Sequence, residues 1–381
     1  MAKSRGLGAI LNDNDTKLEV YPNMVDLGTQ YIKNLNEYWP NKSKTIGLLL
    51  GNNLSSLEGV KVYGKTKNSF QSLTSSINSL TSLSGTPEMA ASDGANYIAI
   101  GGSGTSATTL ELYKRTGTTF TKLSGPATMP TGSCNRLTIS SDGTYIAYVQ
   151  SSAPYMYLFK RTGDTFTNLS NPSTMPTGAG RCCAFSFDGN YLAVGHSVTP
   201  FMTVYSRSGD TFTKLSDPAT LPSSTLVSML TWCGNGYIAI GTSGTPSVPE
   251  VYKLSAGALT KLSNPATPSV GTLAAMAGSS DSVYLSVVGG TSPFVAVYKI
   301  NTSTDTFTKL TLSGITIGSL TGTSIAISKD VKYMCVGYGT NVPYAQLYSI
   351  GAGDTFTKVA EQFSADGLTG AVQTVAFINS P

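Results

Sequence analysis

An all-β fold of short antiparallel strands is predicted by two periodicities and one composition. The phrase Thr-Phe-Thr-Lys-Leu stands at Thr119–Leu123, Thr211–Leu215 and Thr306–Leu310, with near copies at Thr165–Leu169 and Thr355–Val359. Tyr97, Tyr145, Tyr191, Tyr237, Tyr284 and Tyr333 keep the same beat, 46 to 49 residues apart. Ser, Thr and Gly are abundant and charged residues make up only 12% of the chain, as suits half-exposed strands and tight turns. Side chains repeating at this period indicate an internal-repeat architecture.

One unit, Asn135 to Gly178, contains four strand signals in order. Asn135–Ile139 alternates polar and apolar residues, as a half-buried strand does. Ser141-Asp142-Gly143 is a tight-hairpin signal, because Gly reaches positive φ without a Cβ clash. Tyr145–Val149 reads as a second, more apolar strand, Tyr155–Phe159 as a third and Thr165–Leu169 as a fourth, the last two divided by Thr162-Gly163-Asp164. The prolines of Asn171–Pro176 cannot donate to a ladder and close the unit in a loop. Four antiparallel strands per unit of this length make one blade of a β-propeller. A β-sandwich also has short strands, but gives no reason for side chains to recur at this interval.

Full units start near Met89, Asn135, Arg181, Val227, Ala274 and Thr323. Thr45–Gly51, Lys61–Lys65 and Ser69–Leu73 read as second, third and fourth strands without a first. Gln373–Phe377 reads as a first strand without a second. The expected fold is therefore a seven-bladed propeller over 45–381, its ring closed by a C-terminal strand joining the N-terminal blade. Residues 1–44 lie outside the repeat as an arm. Asn23 is a candidate cap for a helix over 24–39, with Pro40 ending it. Tyr31, Leu35, Tyr38 and Trp39 on that helix are candidate anchor residues, being side-chain types enriched at interfaces.

The net charge of +4 comes without a basic run, so a phosphate-tracking stripe for nucleic acid is not expected. No apolar stretch is long enough for a membrane-spanning helix, and Met1–Arg5 precede too few apolar residues for a secretory leader. The five cysteines show no metal-ligand spacing and fall at strand positions, which predicts buried thiols. His196 is the only histidine, so no His-based metal cluster is expected, and the chain lacks GxSxG, HExxH and Walker-type loops. Asp93, Asp142, Asp188, Asp281 and Asp330 recur at the first hairpin, and Asp164, Asp210, Asp305 and Asp354 at the last, which reads as turn chemistry rather than an acid pair. Asp217 and Glu250 stand outside that pattern. No catalytic, cofactor or metal residues are assigned, and the expectation is a protein that is not an enzyme. Tyr155, Phe201, Phe294 and Tyr344 follow prolines in the loops after second strands and are candidate residues for a partner or glycan, with packing between blades as the other role.

Gly209-Asp210-Thr211-Phe212 resembles half of the sialidase Asp-box, but Tyr205 and Arg207 occupy its Ser and Asp positions, and sialidase activity is not inferred. The repeat style of Leu112–Leu123, Leu-Tyr-Lys-Arg-Thr-Gly-x-Thr-Phe-Thr-Lys-Leu, resembles the propeller-type structural proteins of tailed bacteriophages over about residues 45–381. That resemblance implies a virion tail, fibre or decoration component made in the host cytoplasm. Its arm would contact other virion proteins, and its propeller a host-surface glycan or protein. The alternatives are a tail-associated glycan-processing enzyme or a cytosolic propeller scaffold.

Overall fold

The computed structural model describes residues 9–11, 18–20, 46–52, 60–65, 70–72, 87–91, 96–102, 109–116, 119–223, 225–241, 248–265, 270, 272–290, 292–312, 321–339, 344–359 and 372–379, the strands before residue 96 by their backbone. The chain forms two compact units, Met1–Lys44 and Thr45–Pro381. The first contains an antiparallel pair, Ala9–Leu11 with Leu18–Val20. The segment 24–39, with Tyr31, Leu35, Tyr38 and Trp39, lies outside the described residues.

The second unit is built of four-stranded antiparallel sheets. Six blades are folded from four consecutive strands each, running from Pro87 to Lys122, Cys134 to Asn168, Gly180 to Lys214, Met229 to Lys261, Leu273 to Lys309 and Gly322 to Lys358. We number them first to sixth. Burial follows strand position. The second strands are nearly all buried, as at Tyr145–Gln150, whereas fourth strands such as Thr165–Asn168 bury only their Phe. The first strands stand side by side in a closed circuit. Pro87–Ala91 neighbours Cys134–Ile139, followed by Gly180–Phe185, Met229–Cys233, Leu273–Gly278, Gly322–Ile327 and Val372–Asn379, which returns to Pro87–Ala91. First strands therefore surround the central axis and fourth strands form the outside.

The circuit is completed by a composite sheet in the order Val372–Asn379, Ile46–Asn52, Val60–Lys65, Phe70–Ser72. Its first pairing runs from Ile46 opposite Asn379 to Asn52 opposite Val372. The expected fold class needs correcting on two counts. Six blades, not seven, are copies of the repeat, and there is no helix among the described residues. The sequence count included the composite sheet because its strand spacing matches. In it, however, Gly47 faces Gly64 where Tyr97 faces Lys114 in the first blade. The side chains that fasten one blade to the next have no counterpart there.

Those fastenings are regular. Tyr97 Oη donates to Asp164 Oδ1 at 2.8 Å and Lys114 Nζ to Asp164 Oδ2 at 2.9 Å, joining the first blade to the last hairpin of the second. The same bridge joins Tyr145 and Lys160 to Asp210, Tyr237 and Lys253 to Asp305, and Tyr284 and Lys299 to Asp354. The last-hairpin aspartates are thus ties between blades, which local turn chemistry did not foresee. At the first hairpin the turn reading holds. Asp142 accepts from Ser140 Oγ at 2.6 Å and from the Thr144 amide at 2.9 Å, and Asp188, Asp281 and Asp330 repeat the serine bond. Ser282 and Val331 take the left-handed backbone, φ 65° and 56°, where Gly143 and Gly189 both have 69°.

Candidate functional site

Register places the loops after the second strands directly over the start of the first strands. Cys134 lies opposite Gln150, Gly180 opposite His196, Leu273 opposite Gly289 and Gly322 opposite Tyr338. At each of these four pairings the inner strand carries an irregularity that sets one residue out of register: Asn135, Arg181, Ala274 and Thr323. Such bulges re-aim a side chain and concentrate at barrel rims and beside sites. The sequence reading treated these positions as ordinary strand residues, and nothing in their local pattern marks them.

All four candidate aromatics stand on this rim and are half-buried. Tyr155, Phe201 and Phe294 have left-handed backbones, with φ of 46°, 67° and 59°. Each loop is closed by the aromatic residue's own carbonyl, which accepts the amide of Gln150 from Tyr155, His196 from Phe201, Gly289 from Phe294 and Tyr338 from Tyr344, at 2.8–2.9 Å. Phe201 packs against the core around Cys182, Val227 and Trp232, and Tyr344 against that of Cys335 and Val372. The rings of Phe201 and Tyr344 are therefore anchored on one side and partly open on the other.

Two adjoining blades concentrate polar groups here. Asn135 Nδ2 donates to the Gly180 carbonyl at 2.6 Å, linking the second blade's rim to the third's. A Cβ on Gly180 would come within 2.8 Å of the Tyr155 carbonyl, so only glycine fits beneath that loop. The next residue, Arg181, is exposed, with no hydrogen bond or ion pair among the described residues. Gln150 is fully buried and bonded to Gly132, Thr131 and Ser152. His196 is the last residue of the strand Tyr191–His196 and is fully buried. Its Nε2 lies 2.9 Å from Thr203 Oγ1, and burial pushes its pKa down to about 4, so the imidazole is neutral at physiological pH.

Carboxylates that break the repeat do exist, at equivalent places in the first and fourth blades. Glu111 opposes Ile100 as Glu250 opposes Ile240. Both are buried and both are engaged. Glu111 accepts from Tyr113 Oη and Lys122 Nζ, each at 2.5 Å. Glu250 accepts the Ser223 amide at 3.1 Å and pairs with Lys261 at 2.8 Å. They sit in different blades and serve as internal ties, not as an acid pair. All five cysteines are buried free thiols, and burial pushes Cys182 and Cys233 up to about 12. Among the described residues no cluster of three His, Cys, Asp or Glu could hold a metal ion.

No protein-family model matches the chain, and no curated protein does. Solved structures match in fold. A candidate 6-phosphogluconolactonase from Bacteroides fragilis aligns with a TM-score of 0.64 at 15% identity, over 89% of this chain and 100% of that one. The periplasmic gluconolactonase of Pseudomonas aeruginosa aligns with 0.61 at 15%, over 88% and 100%. The Cps50 (Swd1) β-propeller domain of Myceliophteria thermophila aligns with 0.50 at 9%, over 72% and 85%. At these identities the likeness establishes a propeller of repeated blades and nothing finer. The resemblance to phage tail and fibre proteins gains no support from these comparisons.

The expectation that the protein is not an enzyme does not stand on the fold, because proteins named as gluconolactonases share it over their whole length. A rim assembled from loops of several blades leaves no contiguous motif, so a motif search could not exclude one.

Proposed function

We propose that the chain is a propeller hydrolase acting on a sugar-derived substrate, in the first place a sugar lactone, bound on the rim of the inner strands. The observation that carries this reading is the set of half-buried rings of Tyr155, Phe201, Phe294 and Tyr344, fixed by their own backbone bonds at the mouth of the circuit. Flat apolar faces held rigidly beside polar groups are what the C–H face of a sugar ring stacks on, at little entropic cost. Arg181, exposed and next in the chain to the Gly180 that lies under the Tyr155 carbonyl, is the rim cation we assign to hold a carbonyl oxygen as it gains negative charge. Lactone opening asks little more. Water adds to the ring carbonyl, the ring C–O bond breaks as one water proton passes to the departing ring oxygen, and the carboxylic acid so formed ionises and releases the other. The names of the solved relatives in fold support the same reaction class.

The test is proton release by the purified full chain with glucono-δ-lactone and its 6-phosphate, against the uncatalysed rate, together with a panel of glycans. Catalysis above background is expected on a lactone, with Arg181→Ala lowering kcat and Phe201→Ala raising KM. Rates equal to buffer on both lactones and no cleavage of any glycan would sink the reading. In the same reading the unit Met1–Lys44 is an attachment segment carrying Tyr31, Leu35, Tyr38 and Trp39. Its removal is expected to leave turnover unchanged and to abolish recovery of the protein with larger particles by sedimentation.

A further inference from the structure

An asparagine side-chain amide is open to attack by the backbone nitrogen of the next residue, a ring closure governed by access and pre-orientation. Glycine in that next place gives the freest approach, because it has no side chain. Asn235-Gly236 is the one such pair in the sequence. It lies in the first hairpin of the fourth blade, between Cys233 and its partner Tyr237.

The structure leaves the reacting groups of this pair accessible. Asn235 is exposed, and its Oδ1 accepts the Asp188 amide of the third blade at 2.9 Å. That bond polarises the side-chain carbonyl and leaves Nδ2 without a hydrogen bond among the described residues. The Gly236 amide likewise has no hydrogen bond among them. The hairpin around it is held at both ends. The Gly234 amide donates to the Ser279 carbonyl and the Leu254 amide to the Gly236 carbonyl, both at 2.8 Å. The Asp-Gly hairpins of the second and third blades differ. There the amides of Gly143 and Gly189 donate back into their own turns, to the Ser140 and Ser186 carbonyls, and the aspartates bond the same serines.

We propose that Asn235-Gly236 is a site of self-modification, where the chain converts its own asparagine to aspartate or isoaspartate. The Gly236 nitrogen forms a bond to Asn235 Cγ while the Asp188 amide holds the oxygen as it gains negative charge. The Cγ–Nδ2 bond then breaks, and ammonia departs with the proton lost by Gly236. Solvent water opens the resulting succinimide at one of its two carbonyls. Opening at the side-chain carbonyl gives aspartate in an ordinary main chain. Opening at the main-chain carbonyl gives isoaspartate, whose main chain runs through the former side chain. Either product puts a negative charge on the tie between third and fourth blades. Isoaspartate also lengthens a hairpin held at Ser279 and Leu254, so it is the form that loosens the Asp188 bond.

Peptide mapping by mass spectrometry tests this on the full chain kept at mildly alkaline pH, folded and in urea. Asn235 is expected to gain the mass of amide-to-acid conversion severalfold faster than any other asparagine of the six blades, and at least as fast folded as in urea. Gly236→Ala, whose new Cβ meets no atom within 4 Å, is expected to slow the conversion severalfold with Tm unchanged. The proposal is overturned if folding slows the conversion of Asn235, if another asparagine of the blades reacts first, or if Gly236→Ala converts at the wild-type rate.

Discussion

Tyr97 and Asp164 lie 67 positions apart in the chain and meet at 2.8 Å, phenol to carboxylate, with Lys114 on the second carboxylate oxygen. The Lys114 and Tyr97 bonds hold Asp164 below the usual carboxylate range, and Asp210, Asp305 and Asp354 are depressed in the same way. A carboxylate whose folded pKa is lowered adds stability above its unfolded pKa and loses it as pH falls through the folded value. Wild-type Tm is therefore expected to drop as pH falls below about 4, the unfolded carboxylate value. The Asp164→Asn variant should show a lower Tm at pH 7 and a smaller drop on acidification. A parallel pair of curves would count against the bridge.

Glu111 is a buried acid that accepts from the Tyr113 phenol and the Lys122 ammonium. Replacing Tyr113 by Phe leaves the carboxylate short of a donor and is expected to cost about 1–3 kcal/mol in denaturant unfolding. Glu111→Ala, which strands the same phenol and releases Lys122, should cost about 3 kcal/mol or more. A neutral result for both would show that this tie is solvated.

Trp232 spans the seam between third and fourth blades, donating to the Ala184 carbonyl and stacking on Tyr191. Trp232→Ala removes a fully enclosed ring and its hydrogen bond, and a loss of about 3–5 kcal/mol is expected in the same measurement. Trp232→Phe should recover much of the packing but leave the Ala184 carbonyl without its donor.

Val331 is β-branched and sits at φ 56°, a conformation that costs such a residue of order 1–3 kcal/mol. Val331→Gly is expected to raise stability by about 1 kcal/mol despite the lost side chain. A fall in Tm would mean that its packing against the sixth blade's core outweighs the strain.

The thiols give a simple readout of integrity. All five are buried, so Ellman's reagent should titrate none quickly in the native protein and five after denaturation. Fast reaction of one or more at neutral pH would contradict the packing around Cys182 and Cys233.

Much of the fold was legible in the chain itself. Strand order, the hairpin aspartates bonded to their own turn and the residues of the six repeating blades follow from local pattern, because each depends on contacts within a few tens of residues. What joins one unit to the next was not. The pairing of Tyr97, Lys114 and Asp164 needs the curvature that brings the last hairpin of one blade against the strands of another. A count by strand spacing also took in the composite sheet, where Gly47 faces Gly64 in place of Tyr and Lys, and so gave seven blades instead of six copies and one composite sheet. The rim was hidden for a related reason. Tyr155 and Phe201 could be named from the prolines before them, but the bulge that turns out Arg181, and the burial that keeps His196 neutral, arise only when inner strands stand side by side. The sequence by itself determined the blade, whose register depends on alternation and turn residues. The tertiary structure alone decided the seams and the rim, because those depend on which side chains of different blades come within hydrogen-bonding distance.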